Sequence, residues 1–207
     1  MRGRRSQAEA IWRWARTLGP ARVRGKALPR LFFFTDPVRT PDPEAVVRRI
    51  PRGAGVVYRA FGDPEAVREG RRLVRVARRR GVLILAGADA GLAARIGADG
   101  VHLPERRAGS AAGIRRARPG WIVTAAAHSK SAIVRARGGG VAAVFVSPVF
   151  PSSSPSAGRP LGSLRFALLI RRSGLPVYAL GGINARTVRR LTHTSAIGVA
   201  AVEALLD

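Results

Sequence analysis

The chain has no cysteine, which removes disulfides, thiolate metal ligands and a cysteine nucleophile from consideration. Lysine is scarce as well: of 37 basic residues only Lys26 and Lys130 are lysines, and arginine makes up the rest. Acidic residues number twelve, so most of the positive charge has no partner in the composition. No apolar run approaches the roughly 20 residues needed to cross a bilayer, which predicts a soluble protein with no membrane partner. A long apolar secretory core is also missing near the start, and the expected location is the cytoplasm.

What the chain does have is enough apolar residue for one core and a strong positive field. At 207 residues and 46% hydrophobic composition, one sizeable folded domain is expected. A net charge of +25 and a pI near 12 would attract nucleic acid, an anionic surface or a phosphorylated small molecule. The arginines are spread along the chain, as at Arg71, Arg72, Arg75, Arg78, Arg79 and Arg80, mostly on helix-like segments with solvated outer faces. That distribution favours a generally basic surface and a small phosphorylated partner. A nucleic-acid-associated basic protein on the same scaffold is the alternative, and no oligomeric state follows from composition.

Residues 1–30 stand apart from the rest. Ser6 to Thr17 (SQAEAIWRWART) carries a helix-start signal and apolar positions at Ile11, Trp12, Trp14 and Ala15, followed by the breaker Gly19-Pro20 and a basic linker. From Leu31 a regular alternation sets in. Strand-like runs at 31–36, 55–61, 82–88, 97–103, 121–127, 141–150, 175–182 and 196–202 alternate with helix-like segments at 42–50, 64–80, 90–96, 110–118, 129–137, 163–172 and 184–191. Eight such units in one short domain predict a (β/α)8 TIM barrel over 31–207 with an extra N-terminal helix. An open doubly wound sheet would usually use fewer strands at this length.

In a parallel barrel, function sits on the loops after the strand C-termini. That rule selects Thr35-Asp36, Arg59, 87–89, His102, 126–128, 147–156, Gly181-Gly182 and the turn after Val199. The stretch 176–205 anchors the reading. Its apolar run Val177–Leu180 breaks at Gly181-Gly182, a helix-like segment opens at Asn184, and a second apolar run follows; such a turn presents backbone N–H groups to a phosphate. His102 and His128 are the candidates for acid–base work, because an imidazole titrates near neutrality. Asp36, Asp89 and Glu105 are carboxylates on loops at this end, without a recognised ligand spacing. Arg106-Arg107 would either grip a phosphate or solvate a loop, and the Ser/Pro/Gly-rich 147–156 is either a surface loop or a lid.

GADGVHL (97–103), AHS (127–129), SPVFPSSSP (147–155), ALGGIN (179–184) and GVAAVEAL (198–205) occur in an order and spacing that resemble the thiamin phosphate synthase family, which includes the related thiazole tautomerases. The resemblance runs from about Leu31 to Leu205. It implies a (β/α)8 barrel, in agreement with the pattern, and a role in thiamin biosynthesis or salvage. An active member would be a transferase that joins a pyrimidine diphosphate to a thiazole phosphate and releases pyrophosphate with Mg²⁺. The resemblance implies that Gly181, Gly182 and Ile183 hold the thiazole phosphate, that Ser152 and Ser154 supply hydroxyls, and that Arg59 is the arginine of the second-strand motif.

Other family positions carry different residues here. The two metal aspartates correspond to Ala88 and Arg107, and the asparagine beside the first to Gly87. These replacements argue against Mg²⁺, leaving Asp89, one residue along, as the candidate metal ligand; an arginine at 107 would meet a phosphate directly. The lysine of the loop after the sixth strand falls at Pro155. The glutamine and lysine of the second-strand motif fall at Val57 and Phe61. The phosphate-binding serine after the last strand falls at Glu203, whose charge would repel a phosphate if it pointed inward. The tautomerase histidine falls at Pro148.

Overall fold

Two elements precede the barrel in the computed structural model, which describes residues 6–154 and 158–206. Helix α1 (Gln7–Arg16) starts where Ser6 Oγ accepts the Glu9 N–H at 3.1 Å, and Ile11, Trp14 and Ala15 form its buried face. The basic linker after it is folded. It forms a hairpin of β1 (Arg22–Val23) and β2 (Lys26–Ala27), with Arg24 and Gly25 at positive φ in the turn. Leu28, Ala21 and Val23 join the inner cluster of the barrel, and the Tyr178 hydroxyl donates to the Pro29 carbonyl at 2.6 Å. The hairpin therefore covers the N-terminal end of the barrel interior.

Eight parallel strands form that barrel: β3 (Leu31–Phe34), β4 (Gly55–Tyr58), β5 (Leu83–Gly87), β6 (Gly100–Leu103), β7 (Ile122–Ala127), β8 (Ala143–Val146), β9 (Val177–Ala179) and β10 (Gly198–Ala201). They follow chain order around the ring, and Val199 opposite Leu31 closes β10 onto β3. The strands are apolar because both faces are covered. Phe32, Phe34, Val57, Leu85, Phe145 and Tyr178 fill the interior, whereas Leu31, Phe33, Val56, Ile84, Val144 and Val177 pack outward in the larger cluster with the helices. Phe145 stacks on Tyr178 at 4.6 Å between ring centres, and Phe32 meets both edge-on at 5.1 Å. Such pairs add about 0.5–1.5 kcal/mol each beyond the area they bury.

The outer ring comprises α2 (Pro43–Arg49), α3 (Ala66–Arg80), α4 (Ala90–Ile96), α5 (Ala111–Ala117), α6 (Lys130–Gly139) and α7 (Gly162–Ile170). On α3, Gly70, Leu73, Val74 and Ala77 face inward, while Arg71, Arg75 and Arg79 are exposed, as the helical period predicts.

Several strand-like runs shorten to fewer residues, as 175–182 does to Val177–Ala179, and two elements differ further. The run 141–150 ends as a strand at Val146, because Pro148 has no N–H to continue the ladder and the chain turns away there. The segment 184–191 is not an α-helix. Asn184 Oδ1 accepts the N–H groups of Arg186 and Thr187 at 2.9 and 3.0 Å, and Thr187 Oγ1 donates to the Gly182 carbonyl at 2.7 Å. These local bonds compete with helical ones, and only a 3₁₀ turn, Val188–Leu191, follows. A second 3₁₀ turn, Glu203–Leu205, follows β10. Helix α1 packs beside both turns, and Trp14 Nε1 donates to Thr192 Oγ1 at 3.3 Å.

Candidate functional site

The C-terminal ends of the strands open into a cavity of about 930 Å³. His102, His128, Arg59, Asp89, Ser152, Ser154, Gly181, Gly182 and Ile183 all line it, and so do Phe34, Arg39, Phe61, Arg95, Ser153 and Glu203. Arg107 does not. Its guanidinium instead donates to the Ala88 carbonyl at 2.9 Å. Pro155, which the resemblance matches to a family lysine, and Ser156, at the end of the expected lid, lie outside the described residues.

The glycine turn after β9 is pressed against the loop after β8. Val149 N–H donates to Leu180 O at 2.9 Å and Phe150 N–H to Gly181 O at 3.0 Å. Gly181 and Gly182 adopt φ of +89° and +65°, and a Cβ on Gly182 would sit 2.3 Å from the Pro151 carbonyl oxygen. Glycine is required there by both conformation and space. The N–H groups of Gly181, Gly182 and Ile183 donate to no acceptor among the described residues. Unpaired amides beside a cavity are ready donors to an oxyanion. The 3₁₀ turn after β10 borders the same cavity, so the loops after the last two strands line it together.

Across the mouth lies a charged network. Asp36 Oδ2 accepts from Arg39 at 2.8 Å and from Arg59 at 3.2 Å. The hydrogen bond from Arg39 holds the Asp36 carboxyl at about 2, and the charge of Arg59 acts in the same direction. Arg59 also donates through Nε to the Thr35 carbonyl at 2.6 Å, and its guanidinium stands 5.7 Å from the Phe34 ring centre and 5.2 Å from that of Phe61. Burial disfavours its charge, and Asp36 opposes that effect. Glu203 does not stand free beside the cradle: it accepts from Ser153 Oγ at 3.1 Å and from Arg39 at 3.4 Å.

The two histidines differ in chemistry. His102, on β6, is buried edge-on to Phe34 and Phe145, with Nδ1 3.0 Å from Thr124 Oγ1. Burial pushes its pKa down to about 3, reinforced by Arg59, so the ring is neutral at ordinary pH. The near-neutral titration that made it a proton-carrier candidate is removed by its surroundings. His128 stands exposed at the rim with Nδ1 2.6 Å from the Ser147 carbonyl oxygen. A carbonyl only accepts, so Nδ1 carries the proton of the neutral ring and Nε2 keeps its lone pair. Glu105 accepts the His128 backbone N–H at 2.8 Å, which fixes this corner.

The residues do not fit a divalent ion of the kind the family implies. At the two positions that the resemblance matches to metal ligands, Ala88 offers no carboxylate and Arg107 is a cation bonded to the Ala88 carbonyl. Asp89 Oδ1 caps α4 by accepting the Leu92 N–H at 2.9 Å, while Glu105 is engaged by His128 and Arg135. Among the described residues no three His, Asp or Glu side chains converge on one point.

A closed eight-stranded parallel barrel, with a glycine turn of unpaired amides bordering a cavity at its C-terminal face, defines a TIM barrel. Comparison with known proteins gives the family: the thiamine monophosphate synthase family model matches residues 31–205, and the chain belongs to that family. It is 27% identical over 185 residues to a putative thiamine-phosphate synthase 2 of Aquifex aeolicus, covering 87% of this chain and 99% of that one. A thiamine-phosphate synthase of Bacillus velezensis is 27% identical over 173 residues, with 79% and 77% covered. In structure, the chain superposes on a thiamine phosphate pyrophosphorylase from Pyrococcus furiosus with a TM-score of 0.70 at 23% identity, over 84% and 85% of the two chains.

Arg39, Arg95 and Phe34 line the cavity without having been singled out by sequence. Two of them are arginines in a chain dominated by arginine, so no compositional signal distinguished them. Phe34 belongs to a run of apolar residues whose inward face only the barrel register reveals.

Proposed function

We propose that this barrel binds a phosphorylated thiazole-, pyrimidine- or thiamin-type molecule in thiamin biosynthesis or salvage, with its phosphate on the N–H groups of Gly181, Gly182 and Ile183. The observation that carries the reading is that these three adjacent amides have no acceptor among the described residues and border the cavity. The names of the relatives support the ligand class. Ser152 and Ser154, on the loop against which the glycine turn packs, add hydroxyl donors on that side.

A transferase of the family's type, joining a pyrimidine diphosphate to a thiazole phosphate with release of pyrophosphate, is the second reading. It is favoured by Arg59 and His128 lining the same cavity as the cradle. In that reaction Arg59 orients an anionic group, and the buried Phe34 ring keeps water from the reacting atoms.

Calorimetry with thiazole phosphate and with thiamin phosphate tests the binding. The expected result is saturable one-site binding that Gly182→Asp abolishes. If neither ligand binds, or if Gly182→Asp binds as wild type does, the cradle assignment fails. Affinity for any DNA or RNA that falls steeply with salt, without binding of either phosphate ester, would instead favour the basic-surface alternative. A coupling assay reading pyrophosphate release decides the transferase reading.

A further inference from the structure

Three arginines line the cavity, and two are already engaged. Arg39 pairs with Asp36 and Glu203, and Arg59 with Asp36 and the Thr35 carbonyl. The third, Arg95, has no hydrogen bond or ion pair from its guanidinium among the described residues. It sits on α4 three residues after Leu92, which also lines the cavity, so one face of this helix meets the mouth. Asp63 and Asp89 line the same cavity, but neither forms an ion pair with Arg95. Asp89 Oδ1 caps α4 and Asp63 Oδ1 accepts the Glu65 N–H at 2.8 Å. Phe61, which the resemblance matches to the family's lysine, lines the same cavity.

This side of the mouth is therefore unsuited to a divalent ion yet carries one unengaged permanent cation. We propose that Arg95, in place of a divalent ion, is the cation with which this side of the cavity meets an anionic group, a phosphate or diphosphate, of the ligand. The proposal rests on the phosphate-ester reading above and adds a second, metal-independent anion subsite distinct from the glycine cradle. A guanidinium suits the task because its charge is fixed and its N–H fork matches two oxyanion oxygens.

The test is calorimetric titration of the full chain with inorganic pyrophosphate and with inorganic phosphate, in chelator and in Mg²⁺. Pyrophosphate is expected to bind in chelator, and Mg²⁺ is expected not to tighten it. Arg95→Ala should weaken pyrophosphate about tenfold or more, as the loss of a charged hydrogen-bonding partner does, and leave phosphate at the cradle unchanged. Arg75→Ala, the same charge change on the exposed face of α3, should alter neither. Saturating phosphate should not displace pyrophosphate from the wild-type protein.

Tightening by Mg²⁺ of tenfold or more would overturn the proposal. So would an Arg95→Ala variant that binds pyrophosphate as wild type does, or an equal loss in Arg75→Ala. Mutual displacement of the two anions, with Arg95→Ala inert, would place both on the glycine turn, sinking the Arg95 subsite while sparing the cradle. Pyrophosphate binding lost in Arg95→Ala, with no phosphate binding in wild type, would do the reverse.

Discussion

The Arg107 guanidinium donates to the Ala88 carbonyl oxygen at 2.9 Å, joining the two positions that the resemblance matches to the family's metal-binding aspartates. One contact thus occupies the acceptor at the first position with the cation at the second. Ala88 also adopts φ of +62°, a conformation that costs a non-glycine residue energy.

Arg107→Ala should leave the affinity for thiazole phosphate unchanged, because the side chain does not line the cavity. Its cost to stability should stay near 1 kcal/mol or below, as for one exposed hydrogen bond. Ala88→Gly should be neutral or stabilising by up to about 1 kcal/mol, because glycine relieves the left-handed strain. Thermal melts and calorimetry on the two variants read both effects, and a large affinity loss in Arg107→Ala would show that the guanidinium reaches the ligand.

Gly182→Ala sets a Cβ 2.3 Å from the Pro151 carbonyl oxygen at φ of +65°. The conformational cost alone is about 1–2 kcal/mol, and the backbone contact adds to it. The glycine turn and the loop after β8 must then separate. Denaturant unfolding should show a loss above about 2 kcal/mol, and phosphate-ester binding should weaken at the same time. Wild-type stability in this variant would contradict the packing described.

Acid stability should follow His102. Its pKa falls from 6.5 in the unfolded chain to about 3 in the barrel, with burial the first cause. The unfolded state therefore binds more protons between these values, so stability is fully present above about pH 6.5 and is lost as the pH falls toward 3. The limiting slope for one proton is about 1.4 kcal/mol per pH unit. Asp36, lowered from 3.8 to about 2, acts in the same direction but only below pH 3.8. His102→Gln should flatten stability between pH 4 and 6 in chemical denaturation. An unchanged slope in that variant would assign the effect to other groups.

Glu203→Ser should tighten phosphate binding. The carboxylate is held at the rim by Ser153 and Arg39, on the cradle side of the mouth, where it opposes an arriving dianion. Removing the like charge should improve affinity roughly threefold to tenfold at low salt, and screening should shrink the gain as salt rises. Weaker binding in the variant would show that Glu203 orders the loop more than it repels the ligand.

Trp14→Ala tests the docking of the N-terminal helix. The indole is 8% exposed and belongs, with Ile11 and Ala15, to the same core as the barrel's outward face. Truncation should cost about 3–5 kcal/mol in a single cooperative transition. Loss of α1 without loss of barrel stability would mark the helix as an independent attachment.

The sequence by itself determined the eight-unit barrel, because strands covered on both faces must be apolar throughout and their alternation with arginine-studded helices is local and periodic. It also located the glycine turn, since Gly181-Gly182 after an apolar run is a short-range signal. The hairpin plug at the base, the 3₁₀ turn in place of the helix after Asn184, and the fate of each charge were decided only by tertiary structure. In a chain with 37 basic residues, arginines of similar local sequence engage different partners. Arg107 binds Ala88, Arg39 and Arg59 share Asp36, and the Arg95 guanidinium has no partner among the described residues. Those partners are set by long-range closure of the ring. The same closure buries His102 and shifts its titration, whereas its spacing along the chain announces only an imidazole near a strand end.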